Sequence, residues 1–341
     1  MATSPSAIPS VNHQITLAAR PVGMPKDSDF QLVEAPLRAL GEGELLLKTL
    51  YLSVDPYMRG RISGVRSYAE PVPIGGVIEG GTVGEVIASN HPKFQAGDVV
   101  NGMWGWQTHA ISDGTGLRKL DPNLAPVSTA LGVLGMPGMT AYFGFLDICK
   151  PKEGETVVVS GAAGAVGSLV GQIAKIKGCR AIGIAGGDDK VKHLTDELGF
   201  DGAFNYKTTT EYAAKLKELC PNGIDCYFDN VGGPITDAVM SLINTRARIS
   251  ICGQISQYNL TKPDLGPRPF TTLLVKQAKA EGFLVFQFMD RYHEGIPQMA
   301  QWLKEGKLKY HEHVVEGFEN TPKAFIGMLS GENIGKALVK A

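Results

Sequence analysis

The sequence has no apolar run long enough to cross a bilayer and no excess of charge of either sign. Its 341 residues include 33 Lys and Arg and 34 Asp and Glu, and the formal net charge is −1 at pH 7. Such a chain has no electrostatic reason to bind nucleic acid or an anionic membrane, so neither is expected as a partner. The start, MATSPSAIPS, has neither the basic nor the apolar segment of a signal peptide. It predicts a disordered tail at residues 1–12 and a cytoplasmic location.

Cysteine is also scarce. The cysteines are Cys149, Cys179, Cys220, Cys226 and Cys252, an odd number at irregular spacing. This pattern favours reduced structural thiols over a disulfide framework or a metal site, so no bound metal is expected.

The second half of the chain alternates short apolar runs with segments of helical periodicity. The runs are TVVVS (156–160), RAIGIAG (180–186), DGAFNY (201–206), IDCYFDN (224–230), RISIC (248–252) and FLVFQF (283–288). Strands this apolar, separated by helices, are typical of a parallel sheet that is covered on both faces. The predicted fold class is therefore α/β, with a Rossmann-type, doubly wound parallel sheet. The run FLVFQF is a candidate edge strand that could pair across the axis of a homodimer.

The rest of the chain differs in character. Residues 13–138 are rich in Gly and Pro and contain short strand-like pieces, which predicts a compact, mostly β domain. Residues 306–341 again have the pattern strand, helix, turn and strand, and we expect them to fold back onto this domain. The parallel sheet would then be an insert at residues 139–305, with a ligand in the cleft between the two domains.

A glycine-rich turn joins the first predicted strand of this sheet to the helix that follows. VVVSGAAGAVGSLVGQIAK (157–175) places Gly161, Gly164 and Gly167 between them. Glycines here let backbone N–H groups approach a pyrophosphate at the positive end of the helix. The spacing is G-x-x-G-x-x-G rather than the usual G-x-G-x-x-G, and a tight structural turn is the alternative. Gly171, one turn further on, is better explained by close packing of the helix on the sheet.

The next strand indicates which dinucleotide binds. An NAD site usually has an acidic residue at the end of this strand, bonded to ribose hydroxyls. Here the strand ends IAGG (184–187), and Asp188 and Asp189 come later, where they look like helix-capping residues. Lys190 follows in the first helical turn, where a cation could meet a 2′-phosphate; the alternative is a solvated surface lysine. The missing acid and the lysine together predict NADP(H).

Several stretches also resemble a known family. They are YLSVDPYMRGRI (51–62), GAAGAVGSLVGQIAKIKGC (161–179), DCYFDNVGG (225–233), CGQISQYN (252–259) and GFENTPKAFIGMLSGENIGKALVKA (317–341). The chain is similar, over nearly its whole length after the tail, to the zinc-independent medium-chain dehydrogenases/reductases. The similarity is to the leukotriene hydroxydehydrogenase/prostaglandin reductase group, which includes plant alkenal double-bond reductases and bacterial curcumin reductases.

The resemblance implies a GroES-like N-terminal domain and a homodimer that reduces α,β-unsaturated ketones and aldehydes with NADPH. Zinc-bearing relatives need a Cys and a Gly-His-Glu stretch in the N-terminal domain. This chain has no cysteine before Cys149 and no His followed by Glu in that region.

The resemblance also assigns residues to the site. The implied cofactor contacts are Gly164, Ala165, Val166 and Gly167 at the pyrophosphate, Lys190 and Tyr206 at the adenosine phosphate, Asn230, Cys252, Gly253, Ser256 and Tyr258 around the nicotinamide half, Phe283, Leu284 and Val285 beside it, and Asn333 from the C-terminal return. Tyr57 would face the substrate. Each assignment has a simpler structural alternative. Tyr206 and residues 283–285 could belong to the core, Asn230 could cap a turn, and Tyr57 could pack against its neighbours without contacting the substrate.

The predicted reaction is hydride transfer from NADPH to the β-carbon of an enone or enal. Without a Lewis acid, hydrogen bonds must stabilise the enolate oxygen, and Tyr258 is the candidate donor. A phenol with its ordinary pKa of about 10 is better suited to donate than to act as a general base. Two alternatives stay open, namely quinone reduction with the same cofactor and a non-catalytic NADPH-binding sensor or interaction protein. The irregular segment 259–270 is either a substrate lid or a passive connector.

Overall fold

The computed structural model describes residues 9–341. Residues 1–8 of the predicted tail lie outside the described residues, and its last two residues belong to the first strand, which begins at Val11. Contacts between residues divide the chain into two units. The N-terminal unit extends to Leu131 and also includes Val314–Glu332 and Ala337–Ala341, and the central unit comprises Gly132–His313 and Asn333–Lys336.

The N-terminal unit is built from antiparallel strands. They are β1 (Val11–Leu17), β2 (Phe30–Pro36), β3 (Leu45–Ser53), β4 (Thr82–Ser89), β5 (Val99–Gly102), β6 (His109–Ser112) and β7 (Arg118–Leu120), with the short helix α1 (Met58–Arg61) after β3. β1 pairs with β2, while β3, β4, β5 and β7 follow one another in a larger sheet and β6 pairs with β3. The buried rings of Phe30, Trp106 and Phe325 meet in the core with centroids 5.7 to 6.2 Å apart.

A parallel sheet forms the centre of the second unit. Its strands are β8 (Thr156–Ser160), β9 (Arg180–Ala185), β10 (Gly202–Asn205), β11 (Ile224–Asp229), β12 (Ile243–Ile251) and β13 (Lys279–Gly282). The order is β10-β9-β8-β11-β12-β13, and each neighbouring pair is parallel. This is the strand order of a doubly wound dinucleotide-binding sheet, so the predicted fold class is confirmed.

Helices cover both faces of this sheet. They are α2 (Met136–Leu146), α3 (Gly167–Ile176), α4 (Asp188–Lys192), α5 (Tyr212–Leu219), α6 (Gly233–Met240), α7 (Phe270–Lys276) and α8 (Tyr292–Lys304). Val157 and Val159 of β8 pack in one core with α2, α3 and α8, while Val158 packs in the other with α5 and α6. Side chains alternate between the faces of a strand, so an uninterrupted apolar run is what a doubly covered strand requires.

The last predicted strand, FLVFQF, is placed wrongly. β13 ends at Gly282, and residues Val285–Arg291 form a 3-10 helix. The pairing of β13 with β12 finishes at Gly282, after which Phe283 turns into the core and packs against Gly144. Phe283, Val285 and Phe288 of the apolar run are buried while Leu284 and Phe286 are exposed, and residues 279–282, which do form the edge strand, are mostly exposed.

The chain returns with β14 (Glu312–Glu316), α9 (Thr321–Leu329) and β15 (Lys336–Lys340), and the order β14-β15-β3 joins these strands to the large antiparallel sheet. The predicted boundaries after residues 138 and 305 differ from those of the units, which come after 131 and 313. Hydrogen bonds between a side chain and the backbone explain the second difference. Gln172 of α3 donates to Lys309 O (2.9 Å) and accepts from Lys309 N (2.7 Å), which ties this segment to the central unit. Within residues 9–341 no helix is long and apolar enough to cross a bilayer.

Candidate active site

The order of the parallel sheet reverses between β8 and β11, which makes the carboxyl ends of these strands the expected ligand site. Gly161 follows β8 with φ +59°, a conformation that favours glycine. A Cβ on Gly161 would lie 3.3 Å from Asn230 Cβ, so the turns after the two strands are in close contact.

The glycine-rich turn leads directly into α3. A Cβ on Gly167 would lie 2.4 Å from Gly161 O and 2.8 Å from Ala162 Cα, so Gly167 is required for the turn to close on itself. Gly164 has only a 3.3 Å contact with Gly161 O, and Gly164, Ala165 and Val166 are half-buried. The turn lies at the positive end of α3, a position that suits an anion such as a pyrophosphate. Gly171 serves packing as predicted, since a Cβ there would lie 1.9 Å from the Phe200 ring.

The segment that contains Asn333 lies beside this turn. Gly335 N donates to Ala163 O (2.8 Å), and Gly335 forms a bridge with Gly164. Asn333 Nδ2 donates to Gly335 O at 2.8 Å, which fixes the half-buried side chain next to the glycines. The structure thus places Asn333 beside the glycine turn, and contact of either with a cofactor stays a prediction.

Lys190 and Tyr206 lie where β9 ends. A Cβ on Gly186 would lie 2.9 to 3.0 Å from ring atoms of Tyr206, so the ring covers the glycine at the strand end. Lys190 is 9% exposed, and burial lowers the pKa of its ammonium group although the charge of Asp189 opposes this. Its position is not that of a solvated surface lysine. The charge of Lys207 also lowers the pKa of Lys190, so a second cation acts on the same position.

The aspartates that follow β9 are not helix caps. Gly187 is the N-cap of α4 and makes no side-chain cap, while Asp188 and Asp189 belong to the first helical turn. Asp188 accepts a hydrogen bond from Asn205 Nδ2 at 2.8 Å. Acidic side chains in this turn are favourable near the positive helix end without capping it.

The loop after β12 crosses the turn that follows β11. Cys252 N (2.9 Å) and Gly253 N (3.1 Å) donate to Asp229 O, and Ser256 Oγ donates to Val231 O (2.6 Å). Tyr258 folds back so that its Oη accepts the backbone N–H of Gln254 at 3.4 Å. Burial is the main reason why the pKa of Tyr258 is raised. The phenol therefore stays protonated and keeps its O–H for donation.

Asn230 binds the end of β8. Its Nδ2 donates to Ser160 O (2.8 Å) and its backbone N–H donates to Ser160 Oγ (3.0 Å). The amide nitrogen thus joins two strand ends, which favours the structural alternative for this atom. A contact with the cofactor through the rest of the side chain stays a prediction.

The three residues predicted beside the nicotinamide differ in burial. Phe283 and Val285 are at most 9% exposed and pack in the core that α2 and α8 share, whereas Leu284 is 43% exposed. The core alternative therefore holds for Phe283 and Val285, and contact of any of the three with a cofactor stays a prediction.

Tyr57 belongs to the N-terminal unit, where it is the N-cap of α1 and half-buried. Burial, followed by the charge of Asp55, raises its pKa well above the usual value. A substrate role for Tyr57 stays a prediction.

Metal-binding groups and thiols complete the chemistry of the described chain. In residues 9–341 no three His, Cys, Asp or Glu side chains are arranged to hold a metal ion. The cysteines are free thiols, and burial, followed by the charge of Asp229, raises the pKa of Cys252 to about 12.

The predicted site residues do not include Asp229 or Gln254, whose side chains lie 2.9 Å apart where β11 ends and the loop after β12 begins. The available signal was a polar residue at the end of β11 and another in the loop just after the neighbouring strand β12.

Comparisons with known proteins agree with this geometry. Residues 13–120 match a family described as the N-terminal domain of oxidoreductase, and residues 165–305 match one described as zinc-binding dehydrogenase. The NADPH-dependent curcumin reductase of Escherichia coli is 49% identical, covering 96% of each chain, and prostaglandin reductase 1 of Rattus norvegicus is 49% identical, covering 94% of this chain and 96% of its own. The crystal structure of CurA from Vibrio vulnificus in complex with NADPH is 51% identical, with a TM-score of 0.93 over 96% of this chain and 99% of that one.

These similarities extend over nearly the full length of both partners and confirm the resemblance that the sequence motifs predicted. The chain belongs to the zinc-independent group of the medium-chain dehydrogenase/reductase superfamily, together with the curcumin reductases and prostaglandin reductases.

Proposed function

We propose that this protein reduces the carbon–carbon double bond of α,β-unsaturated ketones and aldehydes by transferring a hydride from NADPH to the β-carbon. The cofactor is NADP(H), as predicted from the strand end without an acid, and the protein is a zinc-independent oxidoreductase that acts on such double bonds. The preference for enones over other acceptors is the proposal.

The observation that carries this proposal is the position of Tyr258. Its hydroxyl lies 3.4 Å from Gln254 N at the carboxyl end of β12, in the same unit as the glycine turn and Lys190. The nicotinamide half of a dinucleotide is expected at this edge of the sheet when the pyrophosphate lies at α3. A phenol is therefore available where an enolate oxygen would develop.

Each residue has a defined task in this proposal. The bound cofactor supplies the hydride. The N–H groups at the start of α3 hold the pyrophosphate beside Gly164, and Lys190 holds the 2′-phosphate. Tyr258 accepts from Gln254 N and donates its own proton in a hydrogen bond to the enolate oxygen or to the nicotinamide ribose. Because burial raises the pKa of this phenol, it stabilises an oxyanion without acting as a base.

Steady-state oxidation of NADPH tests the proposal. Wild-type protein should turn over a simple enone with a higher kcat/KM than a small quinone, and Tyr258→Phe should lower kcat with the enone by about 10²-fold or less. A wild-type rate in Tyr258→Phe would exclude the phenol from catalysis. A preference for the quinone would favour quinone reduction, and NADPH binding without turnover of either acceptor would favour the sensor.

We also propose that the protein is a homodimer that acts in the cytoplasm. β13 lies at the edge of the parallel sheet, and the flanking α7 and 3-10 helix expose large apolar side chains. More than half of each is exposed for Phe270, Leu274, Val275, Phe286 and Met289. Such a surface requires cover. A second copy suits it because antiparallel pairing of β13 about a two-fold axis through Ala280 places Lys279 opposite Glu281.

Light scattering in solution tests the assembly. Wild-type protein should have the mass of a dimer, and Val275→Asp should produce a monomer because it introduces a charge into the apolar surface. Leu265→Asp is the matched control, because Leu265 is 91% exposed in the segment that precedes α7. A monomeric wild-type protein would refute this part of the proposal.

A further inference from the structure

A buried carboxylate, Asp229, lies at the end of β11 and is 1% exposed. It accepts hydrogen bonds from several elements that meet at the carboxyl edge of the sheet. The donors are Ser160 Oγ (3.0 Å), Tyr227 Oη (2.9 Å), Val231 N (3.0 Å) and Gly232 N (2.9 Å) on Oδ1, and Thr236 Oγ1 (2.8 Å) and Gln254 Nε2 (2.9 Å) on Oδ2. One side chain thus connects the end of β8, the turn after β11, the start of α6 and the loop after β12.

Stability alone does not account for this arrangement. Burying a charge has a large desolvation cost, and well-packed apolar residues often give equal or greater stability. A network in which every donor meets the same carboxylate does, however, fix the relative positions of the groups that donate. Asp229 does this at the point where the strand order reverses, between β8 and β11.

Gln254 connects Asp229 to the loop that contains Tyr258. The side-chain amide nitrogen of Gln254 donates to Asp229. Its amide oxygen lies against Gly232, since a Cβ added to Gly232 would lie 2.1 Å from this oxygen. The backbone N–H of the same residue donates to Tyr258 Oη. The position of the phenol therefore depends on Gln254, and the position of Gln254 depends on the carboxylate.

We propose that Asp229 is a positioning residue for the reaction: through Gln254 it holds the loop Cys252–Tyr258, and with it the Tyr258 phenol, against the end of β8. The role of the phenol rests on the proposed function, whereas the coupling between Asp229 and Gln254 does not.

The same strand provides a matched control. Asp225, near the amino end of β11, accepts from Thr156 N (2.9 Å) at the start of β8 and from Asn244 Nδ2 (2.8 Å) at the start of β12. It connects β11 to β8 and β12, the same neighbouring strands, at their amino ends rather than at their carboxyl ends. Asp225→Asn should therefore lower the melting temperature without changing kcat or the Kd for NADPH.

A double-mutant cycle tests the proposal. Gln254→Glu places two carboxylates against each other and should lower kcat with a simple enone by about tenfold or more. Adding Asp229→Asn provides an amide that donates to the introduced carboxylate, so the double variant should recover most of this loss. Kcat, KM for both substrates, Kd for NADPH by fluorescence and melting temperature are measured for each variant.

Three results would overturn the proposal. The first is a double variant that is no more active than the less active of the two single variants. The second is an effect of Asp225→Asn on kcat as large as that of Gln254→Glu. The third is a change in the melting temperature of the cycle's variants without any change in their kcat. If Gln254→Glu does not fold, Gln254→Met removes the same hydrogen bond at similar volume and should lower kcat while NADPH still binds. If wild-type protein reduces no enone, the proposed function fails, and the cycle is then judged on the Kd for NADPH, which Gln254→Glu should raise and the double variant should restore.

Discussion

Replacing Lys190 by Ala should change cofactor preference rather than stability. Lys190 is 9% exposed in α4, just after β9, which ends without an acidic residue, and the charge of Lys207 also acts on it. A charge-assisted hydrogen bond contributes about 1.5–3 kcal/mol, and each 1.4 kcal/mol is about tenfold in Kd, so the Kd for NADPH should rise about 10- to 100-fold. The Kd for NADH should change little, because NADH has no 2′-phosphate.

Fluorescence titration with both reduced dinucleotides measures these constants. Lys192→Ala is the matched control, since Lys192 lies on the same helix and is exposed. The reasoning would be refuted if Lys190→Ala weakened NADPH and NADH equally, or if Lys192→Ala weakened NADPH as much as Lys190→Ala.

Three further outcomes follow from the same geometry. Because burial raises the pKa of Tyr258, loss of the phenol proton should not lower the rate of enone reduction below about pH 10. A fall in this rate near pH 8 that Tyr258→Phe abolishes would contradict the expectation. With a pKa of about 12, the Cys252 thiol is thiolate in only about one molecule in 10⁴ at pH 8. Mass spectrometry should therefore find Cys252 unmodified after brief exposure to iodoacetamide, and rapid alkylation would contradict this. Gly144→Ala would put a methyl group 2.2 Å from the Phe283 ring and should destabilise the fold by about 1–3 kcal/mol. Gly60→Ala, whose methyl group would have nothing within 4 Å, should not destabilise it. Equal unfolding midpoints of the two variants in denaturant would contradict the packing argument.

Much of the central unit could be predicted because its strands are covered on both faces. β8 is a largely apolar run that ends at Ser160, directly before Gly161, and its predicted and observed bounds are the same. The run at 283–288 has similar composition, but apolar residues on a helical turn and on a strand cannot be distinguished over so short a length. The sequence does not predict β13, which contains Lys279 and Glu281, because an edge strand does not need an apolar sequence.

The site could be predicted in outline but not in its connections. The glycine turn and Lys190 follow from local spacing, because they lie next to strand ends in the chain. The bond between Asp229 and Gln254 joins residues far apart in sequence, and its existence depends on β11 and β12 being neighbours in the sheet. Local patterns also misplaced the cap of α4, because Gly187 occupies the position that the aspartates after it were expected to take.

The backbone bond from Gly335 to Ala163 determines how this protein can be divided for study. A fragment of residues 132–313 would contain every strand of the parallel sheet, yet its glycine turn would lack the partner that residues 333–336 provide. Those four residues reach the turn only after the chain has passed through β14 and α9. The central unit is therefore formed by two separate segments of the chain, and a recombinant form of this unit would have to carry residues 333–336 as a grafted C-terminal segment.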